Sequence, residues 1–239
     1  MYAQIFGDGS LGAETAALRS KGGGMTGVLI HEETDLHKMI SDSKSKGFRV
    51  EIHAIGDAAA ETVLSAMRSS GIAATDRPIL THCQVLGDDL IDVMSSMGVI
   101  AAVQPSFVPT DMRWVSSRID PEKQQFSYAW KTLLNRGVYV AGGSDAPIET
   151  SSPFIGMFDA MFRSSRETEG LIFREEEQLT FAESLWIYTY GSAYAAHCEH
   201  ELGMLAIGFA GDFVMLDSSI LEDPKRLHSV SPDLVVGKI

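Results

Sequence analysis

Two histidines, a glutamine and an aspartate stand at equivalent points along the chain. His53 follows an apolar run ending at Ile52, and His82 follows one ending at Leu80. Gln104 follows Val103, and Asp145 follows a run ending at Ala141, after a Gly-Gly-Ser turn. Two imidazoles and a carboxylate suit a borderline divalent cation such as zinc. A cation held in this way lowers the pKa of bound water from 15.7 to about 7 and polarises a carbonyl. A carboxylate touching that water can act as general base and then pass the proton to a leaving nitrogen. Asp145 is the candidate for this part. Each residue also has a structural reading. A strand-end histidine is more often a hydrogen-bonded packing residue, Ser144-Asp145-Ala146-Pro147 is good turn chemistry, and Gly142-Gly143 can serve to permit the turn. Three matching positions at one topological address favour the chemical reading, because the structural one needs a separate reason for each.

A scaffold that ends several strands on one side is required to gather them. The first strand is expected at Tyr2–Phe6, running into a Gly-rich loop. Further strands are expected at 48–52, at 78–80, at 99–103 and at 138–141. Between them, apolar residues at helical spacing predict helices over 34–46 (Leu36, Met39, Ile40), 57–70 (Val63, Leu64, Met67) and 87–97 (Leu90, Val93, Met94, Met97). Others are expected over 122–136, 153–165 and 179–197, the last with Thr180 as N-cap and Glu183 at the capping-box position. The unbroken apolar run at 99–103 is that of a strand buried on both faces. Repeated strand–helix units imply an α/β fold with a parallel sheet and right-handed crossovers. Four such units plus the first strand fall short of the eight in a closed (β/α)₈ barrel. The alternatives are an open doubly wound sheet and the later part of a barrel, residues 1–200. The turn-rich stretch 203–217 predicts a strand at 213–216, opening a small β appendage over 201–239, and 235–236 also reads as a strand.

Composition narrows the function. The net charge is −13, with 32 acidic against 19 basic residues, which disfavours general nucleic-acid binding. No apolar run approaches the ~20 residues of a membrane span, and the N-terminus lacks a signal-peptide layout. Cys83 and Cys198 form no framework or C-x-x-C pattern and read as reduced thiols of a cytoplasmic protein. His197, Cys198 and His200 cluster at an expected helix end, where a histidine is favourable without any metal. A nucleotide-binding domain is disfavoured, since no glycine-rich phosphate loop follows the first strand.

The stretches Phe6-Gly7-Asp8-Gly9-Ser10-Leu11-Gly12, Ile52-His53-Ala54-Ile55-Gly56-Asp57, His82-Cys83-Gln84, Val103-Gln104-Pro105, Gly143-Ser144-Asp145-Ala146-Pro147 and 203–217 occur in an order that resembles the amidohydrolase superfamily, in its N-substituted formamide deformylase-like branch. The resemblance covers nearly the whole chain. It implies a (β/α)₈ barrel, of which this chain is the C-terminal part, and a β-sandwich built from both chain ends. It implies that His53 and His82 bind metal from strands five and six, and that Asp145 is the strand-eight aspartate that contacts metal and activates water. The implied cofactor is a divalent metal, zinc by its donors, as one or two ions. The implied activity is hydrolysis of C–N bonds in small amide-type substrates. Three departures stand out. The family's His-x-His pair is absent from this chain. Gln4 aligns with a lysine whose carboxylation bridges two metals, and glutamine cannot be carboxylated. Thr81 replaces a glutamate. The expectation is therefore an N-terminally incomplete chain, catalytically poor alone, whose open sheet edges favour aggregation or a homo-oligomer. The alternative is a non-catalytic remnant with a binding or regulatory role.

Overall fold

The computed structural model describes residues 2–20 and 24–230. The described residues fall into two compact units, one drawn from Met1–Val103 and Trp114–Tyr139, the other from Gln104–Arg113 and Val140–Ile239. The expected boundary near residue 200 lies inside the second unit.

The first unit is built on four parallel strands in the spatial order Tyr2–Phe6, Arg49–Ala54, Ile79–His82 and Ile100–Val103. Helices Glu33–Ser45, Asp57–Ser69 and Asp88–Met97 form the crossovers, as the alternating pattern requires. The helix residues expected to face inward, Leu36 and Ile40, then Val63, Leu64 and Met67, then Leu90 and Met94, are all buried, as are Ile52, Leu80 and Ile100 of the sheet. The third helix stops at Gly98, whose φ of 65° is the left-handed conformation that ends helices at low cost in glycine.

One expected helix, 122–136, is broken. The chain is helical over Pro121–Gln124 and again over Trp130–Asn135. Between these, the Phe126 carbonyl accepts from Leu86 N (3.2 Å), and Tyr128 N donates to the Gln84 carbonyl (2.7 Å) with Tyr128 at φ 49°. These backbone groups satisfy the loop that follows His82, and a helix there could not offer them.

In the second unit, strand Val140–Gly142 precedes helix Pro153–Phe162, which has Pro153 in its first turn and the Ser152 hydroxyl accepting from Ile155 N. The Thr180–Glu183 capping box forms as expected. The helix it opens changes winding, from α over Phe181–Trp186 to π over Ile187–Gly191 and back to α over Ser192–Ala196. Gly191 explains where: a Cβ there would lie 2.3 Å from the Val140 carbonyl oxygen. Ser192 Oγ donates to the displaced Ile187 carbonyl at 2.8 Å. Met157, Ile220 and Leu227 form a core with Phe154, Phe158 and Met161. Ile220 and Leu227 lie in the short helical turns Ser219–Glu222 and Pro224–Ser229, which local pattern does not announce.

The strand expected at 213–216 does not form among the described residues. Val214 and Met215 are exposed, while Leu216 packs on the core. An extended segment needs a pairing strand to be stable in water, and none of the described strands pairs with it. The strand expected at 235–236 lies outside the described residues. No helix among the described residues is long and apolar enough to cross a membrane.

Candidate functional site

His53 is the fifth residue of strand Arg49–Ala54, and His82 ends the neighbouring strand, with His53 opposite Thr81 and Ala54 opposite His82. A regular pleat would send His53 and His82 to opposite faces, because side chains alternate. The chain departs from the pleat here. His82 has φ 78° and Cys83 has φ 50°, two consecutive non-glycine residues in left-handed conformation. The imidazoles come to lie edge to face, with ring centroids 4.5 Å apart and planes at 74°. Both residues are buried. Positive φ at such residues is costly and persists where the surroundings impose it. Here Cys83 N donates to the Ala54 carbonyl (3.2 Å) and Val85 N to the Ile55 carbonyl (2.9 Å), which hold the turn.

The sequence reading missed Asp8. It is 1% exposed and sits in the loop after the first strand. Its Oδ2 accepts from the N–H groups of Ala17 (2.9 Å) and Gly56 (2.9 Å), and its Oδ1 accepts from Ile55 N (3.0 Å). Oδ1 also lies 3.2 Å from His53 Nδ1, at contact distance though not in line for a well-formed hydrogen bond. The signal was present: Asp8 opens an Asp-Gly-Ser loop directly after a strand, in the same way that His53 follows one. Gly7 permits this packing, since its N–H donates to the His53 carbonyl at 2.8 Å and a Cβ there would stand 2.8 Å from the same oxygen.

Thr81 shares the sheet face of His53 and donates its hydroxyl to Glu51 Oε1 at 2.9 Å. Gln4 pairs in register with Glu51 and is exposed. Cys83 is buried and unbonded to Cys198, and burial raises its thiol pKa far above the ordinary value.

The remaining expected residues belong to the second unit. Gln104 is buried at its start. Asp145 is exposed at φ 55°, and its carbonyl accepts from Ile148 N at 2.9 Å, closing a turn after strand Val140–Gly142. The turn reading of Asp145 is thus realised in the backbone, at an exposed position. Gly142 is needed for a neighbour and not for its own φ: a Cβ would lie 3.0 Å from the Tyr188 ring, and one on Gly156 would lie 1.9 Å from the Tyr188 hydroxyl oxygen. Tyr188, in the π-wound turn, donates to the Gly143 carbonyl at 3.3 Å.

Asp159, in helix Pro153–Phe162, is 1% exposed and pairs with Arg166 at 2.7 Å. Burial pushes its pKa up to about 6, against the opposing pull of Arg166 and the Ser106 hydroxyl. A carboxyl whose pKa rises on folding is protonated in the folded chain where the unfolded chain has already ionised. Its contribution is therefore complete below pH ~4, is lost as pH climbs through about 6, and is flat above; for a shift of this size it is on the order of 3 kcal/mol. Asp159→Asn should remove that slope. Urea unfolding at about pH 4 and pH 7.5 measures it, and an unchanged difference between the two pH values in the variant would contradict the assignment.

The His53–His82 pair offers two nitrogen donors, with a buried carboxylate behind one of them. Among the described residues, no group of three His, Cys, Asp or Glu side chains is arranged to hold a metal ion.

Parallel strands joined by helices define an α/β fold, with His53 and His82 near strand ends. A structure of an uncharacterized metal-dependent hydrolase from Pyrococcus horikoshii OT3 superposes with a TM-score of 0.76 at 30% identity, over 86% of this chain and 42% of that one. The chain belongs to the amidohydrolase family, whose profile matches residues 2–237. It is 37% identical to the putative amidohydrolase YtcJ of Bacillus subtilis (strain 168) over 243 residues, covering 99% of this chain and 46% of that protein. It is more distantly similar to the N-substituted formamide deformylase of Arthrobacter pascens, 23% identical over 80% of this chain and 35% of that protein. The chain thus spans less than half the length of these relatives.

Proposed function

We propose that this chain carries the metal-binding strand ends of a hydrolase that cleaves C–N bonds in small amide-type molecules. The carrying observation is the buried His53–His82 pair, 4.5 Å between ring centroids, at the carboxyl ends of adjacent parallel strands. His53 and His82 would each give one nitrogen to a divalent cation, for which zinc is suited; Asp145 is assigned a carboxylate oxygen from the family resemblance alone. When bound, the cation supplies an activated water and a polarised carbonyl. Asp145 accepts a proton from the attacking water and delivers it to the leaving nitrogen. With Gln4 in place of a carboxylatable lysine, one ion is the favoured number. The free thiols fit a cytoplasmic protein.

The test is metal analysis of the purified protein after exposure to zinc. The wild type should retain about one ion per chain, and His53→Ala and His82→Ala should each lose it. Unchanged metal content in both variants would remove the assignment. Gln4 and the absence of a three-donor group among the described residues favour a second reading, a non-catalytic chain that binds without turnover. That reading expects no stoichiometric zinc in the wild type and no hydrolysis of N-acyl substrates.

A further inference from the structure

The sheet of the first unit has two unlike faces, because side chains alternate along each strand. Ile5, Ile52 and Leu80 stand in register on one face, and all are buried. On the other face the row at the strand ends is Phe6, His53 and Thr81, and the row behind it is Gln4, Glu51 and Ile79. This second face is the accessible one. The Phe6 ring is 51% exposed while its centroid lies 5.2 Å from that of His53, Gln4 is exposed and Glu51 is partly so. Thr81 donates its hydroxyl to Glu51 Oε1 at 2.9 Å, which holds the carboxylate towards the row that carries His53. That bond engages one oxygen and leaves Oε2 able to accept from another donor. A carboxylate accepts and does not donate, so the group it selects is a cation or an N–H. The exposed face of Phe6 offers a surface to methylenes or to a cation.

We infer that Glu51 is a specificity-determining residue, which favours amide-type substrates that carry a cationic amine. This rests on reading the His53–His82 pair as the reaction centre, and it names the substrate class. Glu51 lies two residues behind His53, roughly 6.6 Å along the strand. With the amide at the histidines, a linker of about four carbons covers that rise and sets an ammonium against Oε2, where the hydrogen bond is charge-assisted. The Phe6 ring, one row above, lies beside the linker, and the Gln4 amide flanks the ammonium in register with Glu51.

A carboxylate that merely ties Thr81 to its neighbouring strand would show no preference for charge, so the deciding readout is a ratio of affinities. Two probes of equal length supply it: N-acetyldiaminobutane, which ends in an ammonium, and N-pentylacetamide, which ends in a methyl. Calorimetric titration of the metal-free protein measures binding without turnover. The wild type should bind the ammonium probe at least about tenfold more tightly than the neutral one. Glu51→Gln keeps an acceptor for the Thr81 hydroxyl, and the ratio should fall below about threefold. Equal affinities in the wild type, an unchanged ratio in Glu51→Gln, or no saturable binding of either probe up to about 10 mM overturns the inference. Should Glu51→Gln fail to fold, amide shifts of the wild type decide. The ammonium probe is expected to move Gln4, Glu51 and Thr81 more than the neutral probe does, and shifts confined elsewhere overturn the inference. Zinc analysis separates the two claims. A charge preference at Glu51 with undiminished zinc in His53→Ala and His82→Ala would refute the metal reading alone, and stoichiometric zinc with no charge preference would refute the role of Glu51 alone.

Discussion

Asp145→Asn should lower kcat about 10²–10⁴-fold on any small N-acyl or N-formyl substrate that the protein hydrolyses, the range that a positioned general base contributes. Asparagine makes this a clean test. Asp145 sits at φ 55°, and asparagine enters the left-handed region at least as readily as aspartate. The turn closed by its carbonyl and Ile148 N can therefore persist, while the proton-accepting capacity and the anionic oxygen offered to the cation are lost together. Asp145→Ala would confound the two effects by straining the backbone. Steady-state kinetics, with thermal melting to show that stability is retained, checks the prediction. A kcat within about threefold of the wild type would reduce Asp145 to a turn residue, a reading that its exposed side chain and turn geometry also allow.

The strands and crossovers of the first unit were legible because each satisfies two demands at once. Ile52, Leu80 and Ile100 had to be buried in a sheet, and Leu36, Ile40, Val63 and Met67 had to face it at helical spacing. His53 and His82 were legible as strand-end residues for the same reason. Their contact was not, because it depends on two left-handed residues, His82 and Cys83, that no local pattern marks. Asp8 escaped because its partners, Ala17, Ile55 and Gly56, are separated from it by 9, 47 and 48 residues. The break at 126–128 and the π turn at 187–191 share this origin. In each, helical spacing is sound locally, and a distant backbone group overrides it: the Gln84 carbonyl in the first case, the Val140 carbonyl in the second. The unformed strand at 213–216 shows the converse, a short apolar run with no described partner to pair it.

The largest stability effect is expected at Gly56. Its φ of −87° and ψ of 152° suit any residue, so an alanine there pays nothing in backbone conformation. What it meets is the Ala17 peptide: a Cβ would lie 1.9 Å from the carbonyl oxygen and 2.5 Å from the carbonyl carbon. Backbone cannot rotate aside as a side chain can. That carbonyl also accepts from Ala58 N (3.0 Å) and satisfies the first turn of helix Asp57–Ser69, while Ala17 N donates to Asp8. Displacing the Ala17 peptide therefore costs the helix start and the Asp8 network together. Overpacking and two or three lost hydrogen bonds amount to about 3 kcal/mol or more, a fall in Tm of roughly 6–12 °C for a chain of this size. Gly47→Ala is the control, since φ +76° with nothing within 4 Å of its Cβ should cost only about 1 kcal/mol of left-handed strain. If the two variants melted at the same temperature, close approach would not be what requires glycine at position 56. If Gly56→Ala melts lower, as expected, the hold on the Asp8 carboxylate should weaken with it, because Gly56 N is one of the three donors that keep it in place.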